Sequence, residues 1–232
     1  MATIWDYRAR LYDLCEGSGL RRGPDRARLF GRMRGKVLFV AVGTGLDIRH
    51  FPPGLDIVAI DISEGMLRRA AKRAAHYRGA LSLVRADAMN LGFQDASFDT
   101  VATSCTMCSI PDPIRALRDL YRVLRPGGRL LMFEHVRSLH PAFGLALDLM
   151  TLWTRPMGTE MNRDTVGNVL KAGFQVTRVE SIWLDVILII HAVRPTEIHH
   201  ERLAPLNQTR TTRDKGPPRE ADPAEAANHE RR

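Results

Sequence analysis

From residue 37 onward, short apolar or β-branched runs alternate with stretches of helical spacing. Val37–Val42, Ile57–Ile60, Leu81–Arg85, Thr100–Thr103 and Arg129–Glu134 have strand length. Met66–His76 and Pro113–Leu124 carry the helical pattern between them. The second is opened by Pro111-Asp112-Pro113 and stopped by Arg125-Pro126-Gly127-Gly128. Alternation of this kind builds a parallel sheet with crossover helices. Two later runs, Phe174–Glu180 and Val186–Val193, are joined by only a short connection and predict an antiparallel pair at a sheet edge.

The ends of the chain read differently. Ile4, Tyr7, Leu11, Tyr12 and Leu14 fall near helical spacing, Gly17 to Gly23 breaks it, and Arg26–Met33 is a second short helical stretch. Residues 1–36 are therefore expected to form a helical cap on a domain spanning 37–194. Residues 195–232 are polar and proline-bearing, with too little apolar surface to offset chain entropy, and are expected to be disordered.

Charge sharpens this division. The chain has 232 residues, 44% of them apolar, and a net charge of +8. The tail is balanced, with seven basic and seven acidic residues, whereas Met1 to Lys36 holds nine basic and four acidic, a local +5. Such a patch suits nucleic acid, a membrane surface or an anionic ligand. The conjunction of Trp5, Tyr7, Leu11 and Tyr12 with Arg8, Arg10, Arg21, Arg22, Arg26 and Arg28 predicts docking on an anionic membrane. No run of eighteen apolar residues and no leader-like start is present, so the expected location is cytoplasmic, with peripheral membrane contact. Cys15, Cys105 and Cys108 are an odd number, and the Cys105/Cys108 pair lacks further ligands at related spacing. Reduced thiols in packing or a pocket wall are expected, and no metal.

The candidate chemistry begins at VLFVAVGTGL, where an apolar strand ends in Gly43-Thr44-Gly45 and aims backbone N–H groups at a ligand. Sixteen residues after Gly45 stands Asp61, at the C-terminal end of the second apolar run, where a carboxylate can accept both hydroxyls of a ribose. NAD and S-adenosylmethionine both carry such a ribose. The dinucleotide fingerprint wants a third glycine where Ile48 stands, which disfavours NAD.

Together with RADAMNLGFQDASFDTVATSC and LYRVLRPGGRLLMFEH, these motifs resemble class I S-adenosylmethionine-dependent methyltransferases. The branch is the one containing ubiquinone/menaquinone C-methyltransferases, phospholipid N-methyltransferases and thiol S-methyltransferases. The likeness runs from Tyr12 to Arg194. It implies a Rossmann-like, seven-stranded, mostly parallel α/β sheet with an antiparallel C-terminal edge hairpin and flanking helices. It also implies that Ala41, Val42, Gly43, Thr44 and Gly45 lie along the methionine part of the cofactor. Asp61 would hold the ribose, Ile62 would pack on adenine with Met66 nearby, Asp87 and Ala88 would meet the adenine amino edge, and Ser104 and Cys105 would border the sulfonium. Phe39 stands where the family usually has an acidic residue, and Ala41 where it often has glycine.

Methyl transfer from a sulfonium is an in-line displacement that depends on alignment and exclusion of water. Glu134 and His135 leave the fifth strand at the ligand-bearing edge and are the candidate catalytic residues, His135 as a general base. Phe143, Leu147, Met150, Leu152, Trp153 and Met157 suggest an apolar wall for a small or lipophilic acceptor: a quinone, phospholipid head group or thiol. The alternatives are a cofactor-binding regulatory protein without catalysis and a nucleic-acid methyltransferase. No nucleic-acid recognition motif is present to favour the latter.

Overall fold

The computed structural model describes residues 5–7 and 23–196. Expectations placed on Arg8, Arg10, Leu11, Tyr12, Cys15, Arg21, Arg22 and the tail from residue 197 lie outside the described residues. Seven strands form one sheet: β1 (Lys36–Val40), β2 (Asp56–Asp61), β3 (Ala80–Arg85), β4 (Phe98–Ser104), β5 (Leu124–His135), β6 (Gln175–Trp183) and β7 (Ile187–Val193), in the order β3-β2-β1-β4-β5-β7-β6. The first five are mutually parallel. β7 runs antiparallel against β5, and β6 pairs only with β7, closing that edge.

Among the described residues, the helices flanking the sheet include α1 (Gly23–Phe30), α2 (Glu64–Ala74), α3 (Pro113–Val123), α4 (Pro141–Thr154) and α5 (Thr165–Lys171). Their starts are written in the sequence. Ser63 caps α2 by accepting from Met66 N, Asp112 caps α3 ahead of Pro113, and Asp164 caps α5. β1 shows why the parallel strands read as unbroken apolar runs: Leu38 and Val40 face one core with Leu117 and Leu120 of α3, while Val37 and Phe39 face the other with Leu29 and Phe30 of α1. Phe39 is buried against the rings of Phe30 and Phe51, at 5.4 and 4.7 Å between centroids, which accounts for an apolar residue at that position.

One expectation is corrected. The helix α3 stops before Arg125-Pro126-Gly127-Gly128, as expected, but the fifth strand, expected from Arg129, starts at Leu124 and runs through that stretch. Backbone bonds from Gly127 N to Arg194 O and from Arg194 N to Gly128 O, 2.7 and 3.0 Å, draw the stretch into the sheet. Gly127 supplies the positive φ of 76° this requires.

Candidate active site

The strand order reverses between β1 and β4, and the crevice beyond the carboxyl ends of strands at such a switch point is where open α/β sheets hold ligands. A cavity of about 320 Å³ opens there. Ala41 and Gly43 after β1, Asp61 at the end of β2 and Ile62 after it, Asp87 and Ala88 after β3, and Ser104 at the end of β4 with Cys105 after it all line it, as does Met66 on α2. Val42, Thr44 and Gly45 do not. Val42 and Thr44 turn inward, 5% and 1% exposed, and Gly45 lies against α2, where an added Cβ would sit 3.0 Å from the Ala70 backbone.

Asp61 ties the glycine loop to the second strand. Its Oδ2 accepts from Gly43 N at 2.8 Å and its Oδ1 from Ser63 N at 2.9 Å. Burial raises its pKa, opposed by those backbone hydrogen bonds. The carboxylate at the end of β2 thus organises the loop that Phe39 leaves without an acidic partner. Asp87 folds its own turn by accepting from Met89 N at 2.8 Å. Ser104 Oγ is buried with no hydrogen-bond partner among the described residues. Ala41 and Cys105, which follow β1 and β4 on the two sides of the switch, both adopt positive φ, 53° and 50°, a conformation L-residues hold only when their surroundings enforce it.

Glu134 and His135 are not among the residues lining this cavity. Glu134 is fully buried: Oε1 accepts from Thr103 Oγ1 at 2.5 Å, and Oε2 accepts from the N–H groups of Thr106 and Met107 at 2.9 and 3.1 Å. It pins the loop that carries Cys105 and Thr106. Burial pushes its pKa up to about 7, against the pull of these bonds. His135 bonds through its ring to the Met161 backbone, and its Nδ1 is buried without a partner among the described residues. Burial lowers its pKa to about 4. Burial also raises both thiols, Cys105 well above the usual range and Cys108 to about 12, which makes each a poor nucleophile.

Several residues that sequence reasoning assigned elsewhere belong here. Trp5, read as an interfacial aromatic, lines the cavity. Arg26, read as part of a membrane-facing patch, is 6% exposed; its Nη1 meets Asp47 at 2.6 Å and its guanidinium lies 4.5 Å over the Phe133 ring. Its Nη2 reaches the Cys105 sulfur at 3.7 Å. Arg28 is paired with Glu180 at 2.7 Å. Thr106, Ser109, Ile110, Pro111 and Gly158 also join the wall. Only the third dimension signals them. The expected apolar wall did not form at this cavity: of its members only Leu147 is buried, and Phe143, Met150, Leu152, Trp153 and Met157 stand exposed.

The fold and cavity define an open α/β protein that takes a nucleoside-bearing ligand across its switch point. A methyltransferase domain model matches residues 38–132. A ubiquinone/menaquinone biosynthesis C-methyltransferase from Hahella chejuensis is 33% identical over 71% of this chain and 72% of its own length. The chain belongs to the class I S-adenosylmethionine-dependent methyltransferases of the ubiquinone/menaquinone type. A demethylmenaquinone methyltransferase from Renibacterium salmoninarum is 39% identical over 47% of the chain, a match that spans 44% of that relative's length. Among solved structures, a SAM-dependent methyltransferase from Thermotoga maritima superposes with a TM-score of 0.63 at 20% identity, over 83% of this chain and all of that one, which is a likeness of fold.

Proposed function

We propose that the chain binds S-adenosylmethionine in the switch-point cavity and methylates a lipophilic acceptor of the quinol type. One observation carries the reading: the Gly43 turn, Asp61 and the partnerless Ser104 hydroxyl, from the ends of three different strands, converge on one cavity. These residues fit the cofactor. A Cβ at Gly43 would meet no atom within 4 Å, so space is kept there; two carboxylates and an unsatisfied hydroxyl await polar groups. When bound, the cofactor supplies a methyl group activated on a sulfonium.

The chain's own residues bind and orient. We assign Asp61 to the ribose hydroxyls, Ile62 and Met66 to adenine, Asp87 and Ala88 to the adenine amino edge, Ala41 and Gly43 to the methionine part, and Ser104 and Cys105 to the sulfonium side. Trp5 on the wall supports residues 1–36 as a cap over the 37–194 domain. Glu134 and His135 we assign to holding the surrounding loops. His135→Gln should then keep turnover within about tenfold, where loss of a general base costs about 10²- to 10⁴-fold. The quinol acceptor follows from the names of the relatives; phospholipid head groups and thiols are its competitors. Contact with an anionic surface rests on Tyr7, Arg8, Arg10, Arg21 and Arg22, since Arg26 and Arg28 are engaged within the protein.

Calorimetric titration with S-adenosylmethionine tests the reading, with Asp61→Ala expected to weaken binding roughly a hundredfold through loss of two hydrogen bonds to a charged acceptor. Unchanged affinity in the folded variant overturns the assignment. Release of S-adenosylhomocysteine across a panel of quinols, thiols and phospholipids then identifies the acceptor. Binding with no product from any member would favour a regulatory protein.

A further inference from the structure

Helix α4 reverses the usual arrangement of a surface helix. Every exposed residue on it is apolar, including Phe143, Leu145, Leu149, Met150, Leu152 and Trp153, the last 81% exposed. At about 100° per residue, the exposed positions cover about half the circumference, from Leu152 round to Phe143. Gly144, Leu147 and Thr151 face inward. A water-facing helix normally turns its apolar stripe to the core and its polar residues out. The face is extended at its start by Leu139, 75% exposed, and by Leu184 of the β6–β7 turn, 54% exposed. Asp185 fastens that turn to the helix by accepting from Ser138 Oγ and Leu139 N.

Charges around the face point to the occupant. Asp148, the only ionisable residue on α4, is held by Arg137 at 2.7 Å and by Asn162 at 3.0 Å. Glu160 is shared by Arg155 and Arg163, at 3.5 and 3.1 Å. Asp148 neutralises Arg137, whereas Glu160 answers two arginines, so one positive charge stays uncompensated after the helix, where the Arg155 side chain is 75% exposed. Two copies pairing through this face would each bring that uncompensated charge to an apolar interface, with Asp148 and Glu160 already engaged. Phosphate head groups around acyl chains match both features. Fourteen residues make a helix of about 21 Å, too short to span a bilayer and suited to lying in its plane.

We infer that the outward face of α4 seats in a lipid leaflet. The helix runs through Arg155–Met157 into Gly158, a wall of the cavity, and the returning chain is tied to the loop after β4 by Glu160 N to Cys108 O and Arg163 Nη2 to Ile110 O, 2.8 and 2.9 Å. Seating α4 therefore brings the leaflet to the side of the cavity, where a lipophilic acceptor resides; this use of the face rests on the methyltransferase reading above.

Co-sedimentation of the full chain with uncharged phosphatidylcholine vesicles, without cofactor, tests the inference. Binding should appear on neutral lipid and persist in high salt. Leu145→Gln with Leu149→Gln should lower partitioning roughly a hundredfold, while the melting temperature and the S-adenosylmethionine titration in vesicle-free buffer stay as in the parent. Three results overturn it: no binding to neutral vesicles, binding that needs anionic lipid and vanishes in salt, or a dimer that the two substitutions convert to monomer. A lowered melting temperature without vesicle binding also overturns it, since the face would then be covered by the chain itself. Vesicle binding in a protein that takes no S-adenosylmethionine would sink the proposed function and leave this inference standing.

Discussion

Glu134 and His135 are adjacent in sequence, and burial displaces their titrations in opposite senses, to about 7 and about 4. Between pH 4.5 and 7 the folded state holds a proton on Glu134 that the unfolded state releases, so this residue's contribution to stability is full at low pH and is lost as pH rises through 7. Between pH 4 and 6.5 the unfolded state binds a proton on His135 that the folded state refuses, so its contribution is lost as pH falls through that window. The two slopes, each at most about 1.4 kcal/mol per pH unit, oppose one another in the parent. Glu134→Gln should therefore uncover stability that climbs from pH 4 to 6.5, and His135→Gln stability that declines from pH 4.5 to 7. Denaturant unfolding across that range measures both, and flat profiles in the two variants would refute the pairing. At this scale the sequence was informative where chemistry sits at a strand end: Asp61, Asp87 and Ser104 reach the cavity because the ends of β2, β3 and β4 lead there. It was silent on Arg26 and Trp5, whose places depend on contacts with Asp47 and with the cavity wall that no local pattern encodes.

Among the elements, the glycine loop separates two uses of one residue type. Gly43 and Gly45 both have positive φ, 58° and 83°. A Cβ on Gly43 would point into open space at the cavity, whereas one on Gly45 would come within 2.8 Å of Ile48 Cδ1 and 3.0 Å of the Ala70 backbone. Gly45→Val should consequently destabilise the fold by separating the loop from α2, a melting defect present with or without ligand. Gly43→Val carries the conformational strain alone, about 1 to 2 kcal/mol, and should lose cofactor affinity out of proportion to its smaller melting shift. Equal losses of stability in the two would remove the distinction. The sequence announced these glycines, the start and stop of α3 and the hairpin, because each is a local signal. It read Arg125–Gly128 rightly as a helix stop but started the fifth strand at Arg129, since pairing of Gly127 and Gly128 with Arg194, nearly seventy residues away, carries the strand back to Leu124. It read α4 as a substrate wall because apolar spacing reports that a face is apolar, not which way it points.

For the whole molecule, the parallel sheet with crossover helices and an antiparallel edge pair was legible because the alternation of strands and helices admits few connections, while the strand order, and with it the switch point, comes from the structure. The cavity at the switch joins parts that are distant in sequence: the β1 loop, the ends of β2, β3 and β4, Trp5 and Gly158. A ligand bridging them stabilises the folded state as a unit, since unfolding must release it. At a concentration one hundred times its dissociation constant that linkage is worth about 2.7 kcal/mol, and a domain of this size gains about 2–4 °C per kcal/mol. S-adenosylmethionine should thus raise the melting temperature by about 5–10 °C, growing with the logarithm of concentration once saturating. Asp61→Ala, tested at the parent's ligand concentration, should lose most of the shift, while Leu145→Gln with Leu149→Gln on the far face of α4 should retain all of it. A shift of equal size in Asp61→Ala would place the ligand somewhere other than the crevice between β1 and β4.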